Sequence, residues 1–349
     1  MFLTLKELRH DKLKFSALSL IIFLIVFLVL FITGLANGLA NDSGSAIKES
    51  DAQSFILQKG SESRLNRSEL TDSDWQKIDH KYHQNAAKLS VFQTTVQKNS
   101  DASKKTDITY FAINSQSFLA PSNMRSNKTD VIVSSKLKAD GYKIGDKLKD
   151  SNSGKTFKIS GFTNDKAYSH TPVIYINEKQ AQQILPQTNS FNTIALKKNV
   201  QKVSGYQVIN KQALIDAIPG YSAEQSSLYL MIGFLYIISL FVLAVFFYII
   251  NLQKLSDFGT LKALGTKTSY LVKHVMSEMG LLSVISILIS FGVIALIKTQ
   301  MPASMPFMLT WQTLVSTGFL FLAITLISAL LSLIKVIRVD PITAIGGNS

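Results

Sequence analysis

Residues 228–252 read LYLMIGFLYIISLFVLAVFFYIINL, 25 positions without an Asp, Glu, Lys, Arg or His. At about 1.5 Å per residue such a run, taken as a helix, is long enough to cross the roughly 30 Å hydrocarbon core of a bilayer. Lipid offers backbone amides no hydrogen bonds, so a run of this kind has to close its own, as a helix. Residues 15–36, 280–297 and 311–334 have the same character. One run precedes, and three follow, a polar stretch too charged to share their surroundings. The fold class is therefore a membrane protein with four transmembrane α-helices, one plus three, and a large mixed α/β extracytoplasmic domain between the first and second.

The chain divides accordingly. Residues 1–14 form a basic amphipathic N-terminal helix on the cytoplasmic side, and 15–40 hold transmembrane helix 1. The extracytoplasmic α/β domain takes 41–226, within the usual size range of one domain. Helix 2 covers 227–252, a cytoplasmic amphipathic-helix region 253–274, helix 3 275–298, a short external loop 299–310 and helix 4 311–334. Residues 335–349 are a cytoplasmic tail.

Charge sets the orientation. The 349 residues carry 36 Lys and Arg against 23 Asp and Glu, a net +13, and residues 41–226 account for +7 of it. Lys6, Arg9, Lys12 and Lys14 precede the first run, Lys254, Lys262, Lys267 and Lys273 separate the second from the third, and Lys335 and Arg338 follow the fourth. The opposite loop, 299–310, has no charge. Positive flanks stay inside, so both termini and the 253–274 segment are cytoplasmic and the large domain is extracellular. The first run is longer than the apolar core of a secretory signal, although 33–40 offers small residues for cleavage. With no cysteine the exterior domain folds without disulfides, and thiolate ligands and nucleophiles are excluded.

Within that domain a helix is expected to continue from the first run through 43–51. Residues 54–57, 107–113, 130–133, 156–159 and 173–176 read as strands between Gly and Asn turns, and 141–148 as a small barrel-like hairpin. Thr71-Asp72-Ser73-Asp74 caps a helix expected over 75–89, and another is expected over 211–218, ahead of Pro219-Gly220.

Few side chains carry chemistry. Ser153-Gly154-Lys155-Thr156 ends like a phosphate-binding loop, but position 149 is Lys where that loop needs Gly, so a strand-joining turn is the reading. His80 and His83, three apart on a helix, share a face without an evident third ligand, so no metal site is expected. No Gly-x-Ser-x-Gly elbow with partners occurs, and no catalytic residue is assigned. Gly34 and Gly38 leave a flat strip for a second helix, with Asn37 beside it, or a flexible exit from the membrane. Tyr221, Tyr229, Met231 and Tyr236 gather about the outer end of the second run, where tyrosines anchor to the interface and where a planar amphiphile has surfaces to stack on. Glu278 opens the third run, positioned to pair with Lys273 or to cap the helix. Between these runs Leu255, Phe258, Leu261 and Leu264 recur at helical spacing. Such a short amphipathic helix needs lipid or a protein groove over its stripe.

That last segment resembles the coupling region of FtsX/MacB-type ABC permeases. Phe258-Gly259-Thr260-Leu261-Lys262-Ala263-Leu264-Gly265 matches its pattern, with Asp257 where Glu is usual. Glu278 and the terminal Val339-Asp340-Pro341-Ile342-Thr343-Ala344-Ile345 match further family positions, and the one-plus-three layout extends the likeness over the whole chain. The opening 3–13, with 31–40, 168–173 and 218–223, is similar to the HrtB-type haem-exporting permeases of Gram-positive bacteria.

The resemblance implies a permease, not an enzyme, without intrinsic cofactor, in which haem is the transported substrate and ATP is bound by a partner subunit. Its partners would be a cytoplasmic ABC ATPase, a second copy of the chain and membrane lipid, with no nucleic acid. It implies Tyr168, His170, Tyr221, Tyr229, Met231, Asn37 and Glu49 as haem contacts, and Asp257, Phe258, Leu261, Lys262, Leu264 and Gly265 as the ATPase-coupling surface. Gly34 and Gly38 would lie at the dimer interface. The competing reading is an FtsX-like mechanotransmitter, or a permease that senses or resists antimicrobial peptides; a hydrolase or kinase encoded next door would favour it.

Overall fold

The structure, a computed structural model, describes residues 12–98, 101–125, 129–185, 190–302 and 305–333. In chain order the elements are α1 (Lys12–Lys48), β1 (Ser54–Gln58), β2 (Leu70–Thr71), α2 (Asp72–Tyr82), β3 (Ala86–Lys98), β4 (Asp101–Ile113), β5 (Asp130–Ser134), β6 (Lys147–Asp150), β7 (Thr156–Thr163), β8 (Ala167–Tyr168) and β9 (Thr171–Asn177). There follow α3 (Glu178–Ile184), β10 (Ser190–Phe191), β11 (Thr193–Leu196), β12 (Tyr206–Asn210), α4 (Lys211–Asp216), α5 (Tyr221–Gln253), α6 (Leu255–Ala263), α7 (Thr268–Gln300) and α8 (Trp311–Ser332). The expected N-terminal amphipathic helix falls largely, and the cytoplasmic tail wholly, outside the described residues.

Two compact units emerge. One gathers the described chain before Gly38 with Ser227–Met301 and the stretch from Phe307 on; the other is Gly38–Ser226 with the end of the loop before Phe307. In the first, α1, α5, α7 and α8 are each long and apolar enough to cross a membrane. Their shared core includes Ile22, Val26, Leu243, Phe247, Val275, Met279 and Phe321. Between lipid-soluble helices apolar burial gives little drive, so hydroxyls and amides hold the seams. Ser19 and Ser286 hydroxyls meet at 2.8 Å, Ser290 donates to the Phe23 carbonyl at 3.2 Å, Ser328 to the Leu240 carbonyl at 2.9 Å, and Asn251 to Ser332 at 2.8 Å.

In the second unit the strand order is β12-β1-β11-β3-β4-β9-β5-β7-β6, and the end of β3 pairs again with β6. That last pairing closes β3, β4, β9, β5, β7 and β6 into a ring around Val96, Ile108, Tyr110, Val133, Leu148, Phe157 and Ile174. Two of its pairings, β4–β9 and β5–β7, are parallel.

Several expectations change. The helix expected over 75–89 stops at Tyr82, where His83 takes φ +45°, and Ala86 begins β3, whose pairing with β11 and β4 outweighs local preference. Residues 141–148 are no hairpin: Tyr142 is buried in the ring's core and the strand begins only at Lys147. Ser153–Lys155 does form the turn between β6 and β7, with the Ser153 amide donating to Asp150 at 2.7 Å.

Candidate functional site

Of the implied haem contacts, Tyr168, His170, Tyr221 and Glu49 belong to the α/β unit. Tyr168 is a core side chain, 8% exposed, its ring edge-on to Phe111 at 5.7 Å. Burial pushes its phenol above the ordinary range, the opposite of what a phenolate ligand needs. Ser169 and His170 both have positive φ, which puts the His170 amide 3.1 Å from the Asp42 carbonyl. The His170 ring lies 3.1 Å from the Ser43 hydroxyl and 3.3 Å from Glu224, a carboxylate in the first turn of α5. Tyr221 is half-buried against the domain core, and Glu49 pairs with Lys166. Glu49 and Lys166 stand at a cavity of about 180 Å³ whose walls include Phe55, Phe111, Phe118 and Tyr175.

The helical unit holds Asn37, Tyr229 and Met231. Tyr229 and Met231 are 58% and 47% exposed on α5, but two positions apart on a helix they leave on different sides. Asn37 reaches Thr313 at 3.5 Å within the same chain. Gly34 and Gly38 are both buried. At Gly34 the neighbour is Phe307: a Cβ there would stand 2.4 Å from its ring, and the Met308 amide donates to the Gly34 carbonyl at 2.9 Å. Phe307 also extends the row Phe23, Phe27 and Phe31, at 5.8 Å from the last. Gly34 thus serves a contact inside the chain, which the glycine spacing alone did not specify.

The segment expected to couple is α6. Phe258 is 4% exposed in the core of the helical unit, and Leu255 and Leu261 pack against that core, whereas Leu264 is 79% exposed. The apolar stripe is therefore mostly covered by the chain's own helices, and of the six expected coupling residues Asp257, Leu264 and Gly265 are exposed. Lys262 lies half-buried. Gly265 ends the helix at φ +90°, its amide donating to the Lys262 carbonyl at 2.9 Å while the Thr266 amide donates to the Leu261 carbonyl at 3.0 Å. This is the paired closure that a residue without Cβ permits.

Glu278 pairs with Lys254 at 2.7 Å rather than with Lys273. Sequence reasoning placed Lys254 only among the orientation charges; its position between a 25-residue apolar run and α6 was the available signal. Among the described residues no three His, Cys, Asp or Glu side chains are grouped to hold a metal.

Comparison with known proteins decides the family. The FtsX-like permease C-terminal model matches residues 229–341, and the MacB-like periplasmic core domain model matches 17–209. A protein of Staphylococcus haemolyticus strain JCSC1435, named hemin transport system permease protein HrtB, is 33% identical over 99% of both chains. The chain belongs to the FtsX/MacB-type permease family. A protein of the same name from Staphylococcus epidermidis strain RP62A is 31% identical, again over 99% of both. The periplasmic region of MacB from Actinobacillus actinomycetemcomitans is similar to 49% of this chain and 93% of its own length, at 12% identity and a TM-score of 0.36. This family member is thus an ABC permease, a membrane protein whose α/β domain lies outside the cell.

Proposed function

We infer that this permease is one subunit of an exporter that carries haem from the membrane to the exterior, driven by ATP hydrolysed on a separate cytoplasmic subunit. Two copies of the chain work with two ATPase subunits, and both termini are cytoplasmic. The observation that carries this reading is similarity over 99% of both chains to the staphylococcal proteins named for hemin transport, which leaves no large segment of either unmatched. The helical unit adds a matching chemistry: haem's ring favours the exposed aromatic and thioether groups Tyr229 and Met231. Because those two side chains leave α5 on different sides, each contacts haem separately rather than as one clamp. Tyr168 contributes as core packing against Phe111, not as an iron ligand.

Adding haem to the purified permease in nanodiscs tests the reading. A shifted, saturable Soret band is expected, weakened by Tyr229→Ala and by Met231→Ala separately. An unchanged Soret band, or equal binding after both substitutions together, counts against it. Growth of a deletion strain in graded haem and in antimicrobial peptides separates export of haem from peptide resistance.

A further inference from the structure

Lys254 sits where α5 turns into α6. Its backbone (φ −92°, ψ 9°) leaves helical geometry, yet its amide still bonds to the Ile250 carbonyl at 3.3 Å and its carbonyl accepts from the Phe258 amide at 3.0 Å. α5 ends at Gln253 and α6 begins at Leu255, so these two main-chain bonds bridge the helices across a bend at this single residue. The side chain at that bend is 14% exposed and runs to Glu278 of α7, whose side chain is wholly buried. On the way its ammonium stands 5.0 Å from the centre of the Phe15 ring of α1. One charge therefore touches three helices beside the four-residue step to Phe258, itself buried in the same core.

We propose that Lys254 is the positioning residue for energy coupling: its ion pair with Glu278, backed by Phe15, clamps the bend so that α6, α7 and α1 move as one body. The proposal rests on the permease–ATPase reading above and adds which contact transmits the stroke. Coupling between sites has to pass through a physical element that both sites bias. Without the clamp, a push on α6 would be spent flexing the bend at Lys254. A buried charge left alone is far worse than a pair exchanged, so a reciprocal swap separates the clamp from simple loss of packing.

The test uses the full permease with its ATPase subunit in proteoliposomes, reading ATP hydrolysed per haem exported. Lys254→Met and Glu278→Gln are each expected to raise that ratio by about 10-fold, within the roughly 5–150-fold span of typical coupling energies. Lys254→Arg should keep the wild-type ratio, and the exchange Lys254→Glu with Glu278→Lys should recover much of it. Because the chain has no cysteine, spin labels at Leu24→Cys and at the exposed Thr260→Cys of α6 give a second readout. Their separation should stay fixed on adding nucleotide in the wild type and broaden in Lys254→Met. Single variants with the wild-type ratio and an unbroadened distance overturn the clamp, as does a folded exchange variant no better than the singles. A wild-type permease that never stimulates the ATPase overturns instead the functional reading beneath it.

Discussion

Asp74 shows how much of one residue's role a sequence displays. Its carboxylate accepts from the Thr71 amide at 2.9 Å, closing the start of α2, and from the Tyr206 hydroxyl at 2.6 Å. The first contact was legible as a Thr-x-x-Asp cap; the second comes from a strand 132 positions away. The Tyr206 hydroxyl is the main reason that Asp74 stays charged below the usual aspartate range, and burial lifts the Tyr206 phenol to about 12, with Asp74 adding to the rise. For Asp74, lowered on folding, the stabilisation is complete above the unfolded value near ~3.9 and is lost as pH falls through the folded value. For Tyr206, raised on folding, it is complete below about 10 and is lost as pH climbs towards about 12. Thermal melts of the purified protein should therefore flatten on the acid side in Asp74→Asn and on the alkaline side in Tyr206→Phe. Unchanged slopes in both would mean that the pair contributes nothing. Gly34 gives the complementary lesson: a four-residue glycine spacing announces a flat surface, but Phe307, which fills it, carries no local mark.

At the scale of elements, α6 was recognisable from its spacing and its terminal Gly-Thr, because both depend on neighbours within one helical turn. Which faces it covers was not, since the same stripe suits lipid, a partner's groove or the chain's own bundle. Gly265 at φ +90° is the position where backbone geometry alone forbids most side chains cheaply. Gly265→Ala should cost about 1 kcal/mol, spent in the last turn of α6. Hydrogen exchange in nanodiscs should show faster exchange of the Gly265 and Thr266 amides, with Gly265→Asn closer to wild type. Equal protection in all three proteins would refute the closure. The same distinction explains the start of β3: residues 86–89 read as helix by local composition, and only pairing with β11 and β4 makes them strand.

For the whole molecule, the expected outcome is an asymmetric response to protease. Added to intact cells or protoplasts, it should cut within residues 41–226 and spare 253–274 until the bilayer is breached; the reverse pattern would invert the orientation read from the lysine flanks. What the amino-acid order determined unaided was the number of spanning runs, their one-plus-three spacing and the size of the domain between them. Those follow from transfer of each run into lipid, a sum over consecutive residues that needs no knowledge of neighbours. The tertiary structure alone decided the ring closed by β3 and β6, the Phe307–Gly34 contact and the Lys254–Glu278 pair, because each joins residues whose separation along the chain leaves the choice of partner to the packed fold.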